Sequence, residues 1–307
     1  MIYKSNLICG PGLVRTENQD NYYVNGTYRQ NISDNSVLRN NDISENSGLY
    51  AIADGMGGEK DGGLASLLAV QNLNKSITSG ESMSQYLIAL NNNICNKIRE
   101  MDGRRIGSTF AGICVSGANA QIVNLGDSRV YLFRDGELSQ ISKDHTAAQQ
   151  LIDLGMLDID TAKQHKDRHK LTQHLGIFTD EFIIEPYVTY CDVMPGDIFL
   201  LCSDGLTDML GESEITQIMR TSNDISGLTE SLYCAAIDKG GKDNITILLL
   251  QAEIKKEDLH KYNLAKPTSM PTPKPTPKPV PASKILSILA IISLIAAITF
   301  TVLMMLR

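Results

Sequence analysis

Residues 285–306 run for 22 positions without one charged side chain, and almost all of them are Ile, Leu, Ala, Val, Phe or Met. As a helix rising about 1.5 Å per residue this stretch reaches about 33 Å, enough for the roughly 30 Å hydrocarbon layer of a bilayer. No polar stripe interrupts it, so a single transmembrane helix is expected rather than a core helix. Seven of the ten prolines lie between Pro267 and Pro281, which predicts an extended spacer that cannot join a packed core. Any globular fold must therefore come from what precedes. The chain divides into a body over residues 1–255, a Pro- and Lys-rich linker over 256–284, and the span over 285–306. No apolar stretch follows Met1-Ile2-Tyr3-Lys4, so no secretory leader is expected. Lys266, Lys274, Lys278 and Lys284 precede the span and only Arg307 follows it. That bias predicts a single-pass membrane protein with its body in the cytoplasm.

Charge narrows the class of partner. From Lys266 onward there are five cations and no acid, so residues 1–265 hold 23 Lys and Arg against 35 Asp and Glu, a net charge of −12. An acidic body argues against nucleic acid, whose phosphates are bound by Lys and Arg. Apolar residues at 42% and charged residues at 21% support an ordinary buried core. The six cysteines include no C-x-x-C pair, and Cys114, Cys191 and Cys202 lie inside apolar runs. They are expected to act as small hydrophobes in a reducing compartment.

Short runs rich in β-branched residues predict strands at 49–53, 110–115, 120–124, 129–133, 137–141, 198–202 and 245–250. Four of these follow one another from 110 to 141 with tight turns between, the pattern of an antiparallel meander. Helical spacing of apolar residues marks 62–78 and 84–101, and more weakly 146–154, 212–220 and 225–238. Helices grouped between antiparallel runs imply an α+β fold. Residues 25–48 are polar, Asn- and Ser-rich and without period, and are expected to form a long surface loop.

Aspartates at strand ends carry the chemistry. Asp135-Gly136 lies between two strand-like segments and reads as a hairpin turn. Asp54-Gly55 and Asp204-Gly205 differ, because each ends an apolar strand and runs into a helix. Asp243 precedes another apolar strand, Asp20 closes Arg15-Thr-Glu-Asn-Gln-Asp20, and Asp127 follows Gly126 at a turn. Taken singly each is more often a turn former or a cap. Converging in one cleft, they would repel strongly unless divalent cations met them, and oxygen-only ligands favour Mg²⁺ or Mn²⁺ over zinc.

The blocks Arg15-Thr-Glu-Asn-Gln-Asp20, Ala53-Asp-Gly-Met-Gly-Gly58, Gly107-Ser-Thr109, Gly126-Asp-Ser-Arg129 and Lys143-Asp-His145 occur in that order. Leu171-Thr-Gln-His-Leu-Gly176, Pro195-Gly-Asp197, Ser203-Asp-Gly-Leu-Thr-Asp208 and Asp243-Asn-Ile-Thr246 follow. Over residues 5–252 this set resembles the metal-dependent Ser/Thr protein phosphatases of type 2C, in their bacterial form. The resemblance implies a four-layer αββα sandwich with two central antiparallel sheets and the metals at one edge between them. It implies two Mn²⁺ or Mg²⁺ ions. Asp54 would bridge both, Gly55 would give its carbonyl to the second, Asp204 and Asp243 would complete the first site, and Asp20 would serve the second. Asp127 with Asp204 would form a weaker third site, and Arg15 would hold the substrate phosphate.

The implied reaction is hydrolysis of phosphoserine and phosphothreonine on proteins by a water activated between two metals, with a membrane Ser/Thr kinase as counterpart and a monomeric catalytic domain. A binding or sensor module with weak turnover is the alternative. Met56 stands where many relatives carry a histidine, so no side chain there can protonate the leaving group. Gln19 replaces a common Glu, Ser108 a usual Thr, and Gln173-His174 a usual Arg-Ala. His145 reads as structural. Residues 147–170 resemble the flap that tunes substrate choice in bacterial members. His165, His169 and His174, with Lys166, Arg168 and Lys170, form either a contact for acidic substrates or a solvated polar face.

Overall fold

The computed structural model describes residues 1–57, 61–73, 82–101, 105–162 and 165–255. Contacts divide the chain into Met1–Lys261 and Tyr262–Arg307, and every described residue belongs to the first unit. The expected linker and transmembrane span lie outside the described residues. Among the described residues no helix is long and apolar enough to cross a membrane.

The strands and helices run in the order β1 (Ile2–Gly10), β2 (Asp20–Val24), β3 (Thr27–Tyr28), β4 (Leu38–Glu45), β5 (Ser47–Met56), α1 (Asp61–Val70), α2 (Met83–Glu100), β6 (Gly107–Ser108), β7 (Phe110–Ser116) and β8 (Asn119–Leu125). There follow β9 (Arg129–Arg134), β10 (Glu137–Gln140), α3 (Ala147–Asp153), α4 (Ile159–Ala162), β11 (Tyr187–Asp192) and β12 (Ile198–Cys202). The last elements are α5 (Asp204–Thr207), α6 (Glu212–Met219), α7 (Ile225–Asp238) and β13 (Ile245–Glu253). One sheet has the order β10-β9-β12-β13-β1-β4 and the other β11-β8-β7-β5-β2-β3, with β6 on β5. All pairings are antiparallel, as α+β patterning requires.

Period-two alternation builds the layers. Within β1, Leu7 and Cys9 face the space between the sheets while Ile8 faces outward; in β12, Phe199 and Leu201 point in while Ile198 and Leu200 point out. Strand residues buried on both faces need cover on both, and helices provide it. Ile215, Met219, Leu228, Leu232 and Ala236 of α6 and α7 close one outer face. Ala65, Ala69, Leu87, Leu90 and Ile94 of α1 and α2 close the other. The result is helix, sheet, sheet, helix. A capping box fixes the start of α2: Gln85 N–H donates to Ser82 Oγ at 3.2 Å, and Ser82 N–H donates to Gln85 Oε1 at 3.1 Å.

Two expectations are corrected. Residues 25–48 are not one loop, because they contain β3 and β4, and β4 pairs with β1 from Ile2↔Glu45 to Cys9↔Leu38. As an edge strand β4 is held by its backbone ladder and alternates half-buried with exposed residues. Its sequence therefore needs no apolar period. The run from 110 to 141 is two hairpins rather than one meander. β7–β8 belongs to one sheet and β9–β10 to the other, and the chain crosses between them at Gly126–Ser128. Asp135 and Gly136 do form a two-residue hairpin loop, both with positive φ (54° and 81°).

Arg29, inside the stretch read as loop, is 3% exposed. Its guanidinium makes five hydrogen bonds to carbonyls: two from Nη1 to Asn18 and Asp20, two from Nη2 to Ile32 and Asp34, and one from Nε to Asp34. It thereby locks the strand start at Asp20 to the 31–35 turn. Arg29→Met leaves those carbonyls buried and unmatched. The expected cost is about 3 kcal/mol of unfolding free energy, measured by urea denaturation; a loss below about 1 kcal/mol would show that the clamp is dispensable.

Candidate metal centre

The site forms where the two sheets meet at one edge. Asp20 opens β2 and lies directly opposite Asp54 in the β2–β5 ladder. Asp204 begins α5 two residues after the end of β12, and Asp243 lies two residues before β13, so both come from the other sheet. Asp127 stands at the crossing between sheets. The glycine after each of the two strand-end aspartates has a steric reason. A Cβ on Gly55 would lie 2.0 Å from the Gly62 carbonyl oxygen, and one on Gly205 would lie 1.9 Å from that of Asn244. Only glycine lets these backbones approach so closely.

Hydrogen bonds hold the backbone and turns that carry the aspartates. Thr109 brackets Asp54, accepting from its N–H at 3.0 Å and donating to its carbonyl at 2.8 Å. The Thr109 hydroxyl also meets Ser128, next to Asp127, at 2.6 Å. Asp20 Oδ2 accepts from Ser203 Oγ (2.8 Å) and Thr246 Oγ1 (2.7 Å). Asn244 accepts from the Gln19 N–H and donates to the Glu17 carbonyl, both at 2.8 Å, and so staples the Arg15–Asp20 loop to the Asp243 turn. Arg129 forks onto Asp144, and His145 Nδ1 accepts from the Gly126 N–H at 3.2 Å. His145 thus holds the turn carrying Asp127, in line with a structural role. Arg134 and Asp197 form a second buried fork.

A cleft of about 970 Å³ is lined by Arg15, Asp54, Gly55, Met56, Asp127, His169, His174, Asp204, Lys242 and Asp243, among others. Of the seven residues that the resemblance assigns to the metals and the phosphate, six line it together, all but Asp20. Asp20, fully buried, lies behind Asp54 rather than in the wall. The histidines do not act as one group: His169 and His174 reach the cleft, whereas His165 Nδ1 accepts from the Asp167 N–H. His174 Nδ1 lies 2.8 Å from the Leu175 carbonyl oxygen. Arg29, Ser203 and Thr246 support Asp20 directly, and only Ser203 and Thr246 lay within a motif visible in the sequence.

The electrostatics are those of crowded acids. Enclosure pushes the Asp20 carboxyl up to about 6, against the donation from Thr246 and Ser203. Burial, then Asp144, drives Asp127 to about 7. Asp54 and Asp204 are raised well above the usual carboxylate range, by burial first and then by the surrounding aspartates. Arg15 is bound to Asp243 through Nε–Oδ1 (2.9 Å) and Nη2–Oδ2 (2.7 Å). Two carboxylate oxygens, Asp20 Oδ1 and Asp204 Oδ1, are shut off from solvent without a hydrogen-bond partner. Orphaned buried anionic oxygens in an all-oxygen cluster fit hard divalent cations.

Residues 26–232 match the family described as Protein phosphatase 2C. A serine/threonine phosphatase of Listeria monocytogenes is 30% identical over 247 residues, covering 76% of this chain and 94% of its own. The protein phosphatase PhpP of Streptococcus pneumoniae is 32% identical over 256 residues, covering 80% and 96%. Among solved structures, the catalytic domain of the serine/threonine phosphatase PstP in complex with two manganese ions superimposes with a TM-score of 0.64. It is 28% identical and covers 83% of this chain and all of that one. The chain belongs to the protein phosphatase 2C family and is a serine/threonine protein phosphatase.

The raised carboxyls have a sign that can be measured. The folded metal-free protein holds these protons more tightly than the unfolded chain, so each such group removes stability as pH rises above about 4, Asp20 and Asp127 up to about 6 and about 7. Asp54→Asn takes one of them out. Without metal, the variant is expected to melt above the wild type at pH 7.5 by about 2 °C or more, with the gain vanishing near pH 4. Equal melting temperatures at pH 7.5 would contradict the crowding of charge.

Proposed function

We propose that the body hydrolyses phosphoserine and phosphothreonine esters on proteins with two divalent cations held by Asp54, Asp204, Asp243, Asp20 and the Gly55 carbonyl. Asp127 and Asp204 would take a weaker third. The reading is carried by one observation: four aspartates line a single cleft with a fifth, Asp20, directly behind Asp54, and two of their buried oxygens are unmatched. Manganese in the related PstP structure supports Mn²⁺ or Mg²⁺ as the metal. When bound, the ions supply an activated water and polarise the phosphoryl oxygens.

The chain's own groups do the positioning. Arg15 stands at the cleft mouth with its side chain 58% exposed, and its planar fork suits two phosphate oxygens as well as it suits Asp243. Were Asp243 to hold a cation, its carboxylate would be less available to Arg15, leaving the guanidinium fork for the substrate phosphate. Asn244 and Arg29 keep the Arg15–Asp20 loop at a fixed distance from the acids. The Met56 thioether has no proton to give, so the leaving alkoxide must take its proton from another group in the cleft.

The apolar stretch 285–306 and the lysines before it support a membrane tether that keeps the catalytic body in the cytoplasm. There it would act on the products of a Ser/Thr kinase at the same membrane surface. Turnover of a phosphothreonine peptide by residues 1–261 tests the chemistry. Hydrolysis should require Mn²⁺ or Mg²⁺, stop on chelation, and fall by about 100-fold or more in Asp54→Asn and Asp204→Asn. A domain that binds Mn²⁺ yet leaves the peptide intact would instead be a binding module.

A further inference from the structure

We propose that His169 donates a nitrogen ligand, beside Asp127 and Asp204, to a divalent cation that fastens the 165–171 segment to the cleft floor. The inference rests on the metal-dependent reading above and goes further, because the family resemblance supplies the two aspartates and not the imidazole. One donor atom from each of Asp127, His169 and Asp204 can be chosen so that all lie within 4.8 Å of one another. Ligands around one ion at bond lengths of about 2.0–2.3 Å stand roughly 3–4.5 Å apart, so the three atoms need move only a few tenths of an ångström.

The acid shared by this cluster and the two-cation site is short of partners. Asp204 Oδ1 is closed to solvent and has no hydrogen-bond partner, the condition of a carboxylate oxygen that awaits a cation. The His169 ring is not committed to a tight bond elsewhere. Its Nε2 lies 3.6 Å from Asp208 Oδ1, too long for a hydrogen bond. The three ligands also come from three separate places: the crossing between the sheets, the start of α5, and the segment after α4. A shared ion would therefore link parts of the chain distant in sequence. It would draw His169 over a cleft that His169 already lines. An imidazole also alters the choice of metal, favouring Mn²⁺ over Mg²⁺ at this position compared with an all-oxygen site.

The test is pulsed EPR and calorimetry on the full chain in detergent, titrated with Mn²⁺ alone. The wild type should bind a third Mn²⁺ more weakly than the first two, and electron-spin-echo modulation from a directly bound ¹⁴N should appear as that site fills. In His169→Gln the first two sites should remain, the ¹⁴N modulation should disappear, and third-site affinity should drop by about tenfold or more. His174→Gln, altering the other histidine of the same cleft, should keep the modulation. Modulation that survives in His169→Gln, or that is lost in His174→Gln instead, overturns the assignment. A wild type that binds two Mn²⁺ with no nitrogen coupling overturns it while leaving the two-metal reading intact. A wild type that binds no Mn²⁺ overturns both.

Discussion

Negative charge brought together where two sheets meet is the constraint on which the rest of this structure turns. Asp20 and Asp54 face each other across one ladder, and Asp204 and Asp243 arrive from the opposite sheet. Enclosure and mutual repulsion push the Asp54 and Asp204 carboxyls well above the usual carboxylate range. A fold can keep such a cluster only if its frame is stabilised elsewhere. Three stacked apolar layers between and outside the sheets provide that stability.

The frame is specific as well as apolar. Gly55 and Gly205 let the two aspartate-bearing turns pack against neighbouring carbonyls, where any side chain would force them apart. Arg29 and Asn244 then fix the Arg15–Asp20 loop from behind and from the side. Arg15 is the cation in direct contact with Asp243, and it is exposed enough to exchange that partner for a phosphate. The same geometry therefore serves both the metal-free fold and the proposed chemistry.

Much of this was legible in the sequence because it is local. The strands at 198–202 and 245–250 and the helix at 225–238 follow from apolar runs and periodicity that burial on two faces imposes. The Asp-Gly pairs stood out because a carboxylate at the mouth of a buried strand needs a reason. What escaped was held by backbone or by distance. β4 carries no apolar pattern, because an edge strand is secured by its ladder, and so Arg29 was hidden in what read as loop. The change of sheet at Gly126–Ser128 is invisible along the chain, since tight turns within a sheet and between sheets use the same residues.

By itself the sequence determined which residues are acidic at strand ends, where the α+β body runs, and the resemblance that those ordered blocks carry. Its periodicities report burial, and burial is set residue by residue. Only the tertiary structure decided that Asp20 lies behind the cleft wall, that Arg15 closes on Asp243, and that His169 comes within reach of Asp127 and Asp204. Those facts depend on the register and stacking of strands far apart in the chain, and no local pattern encodes the distance between two sheets.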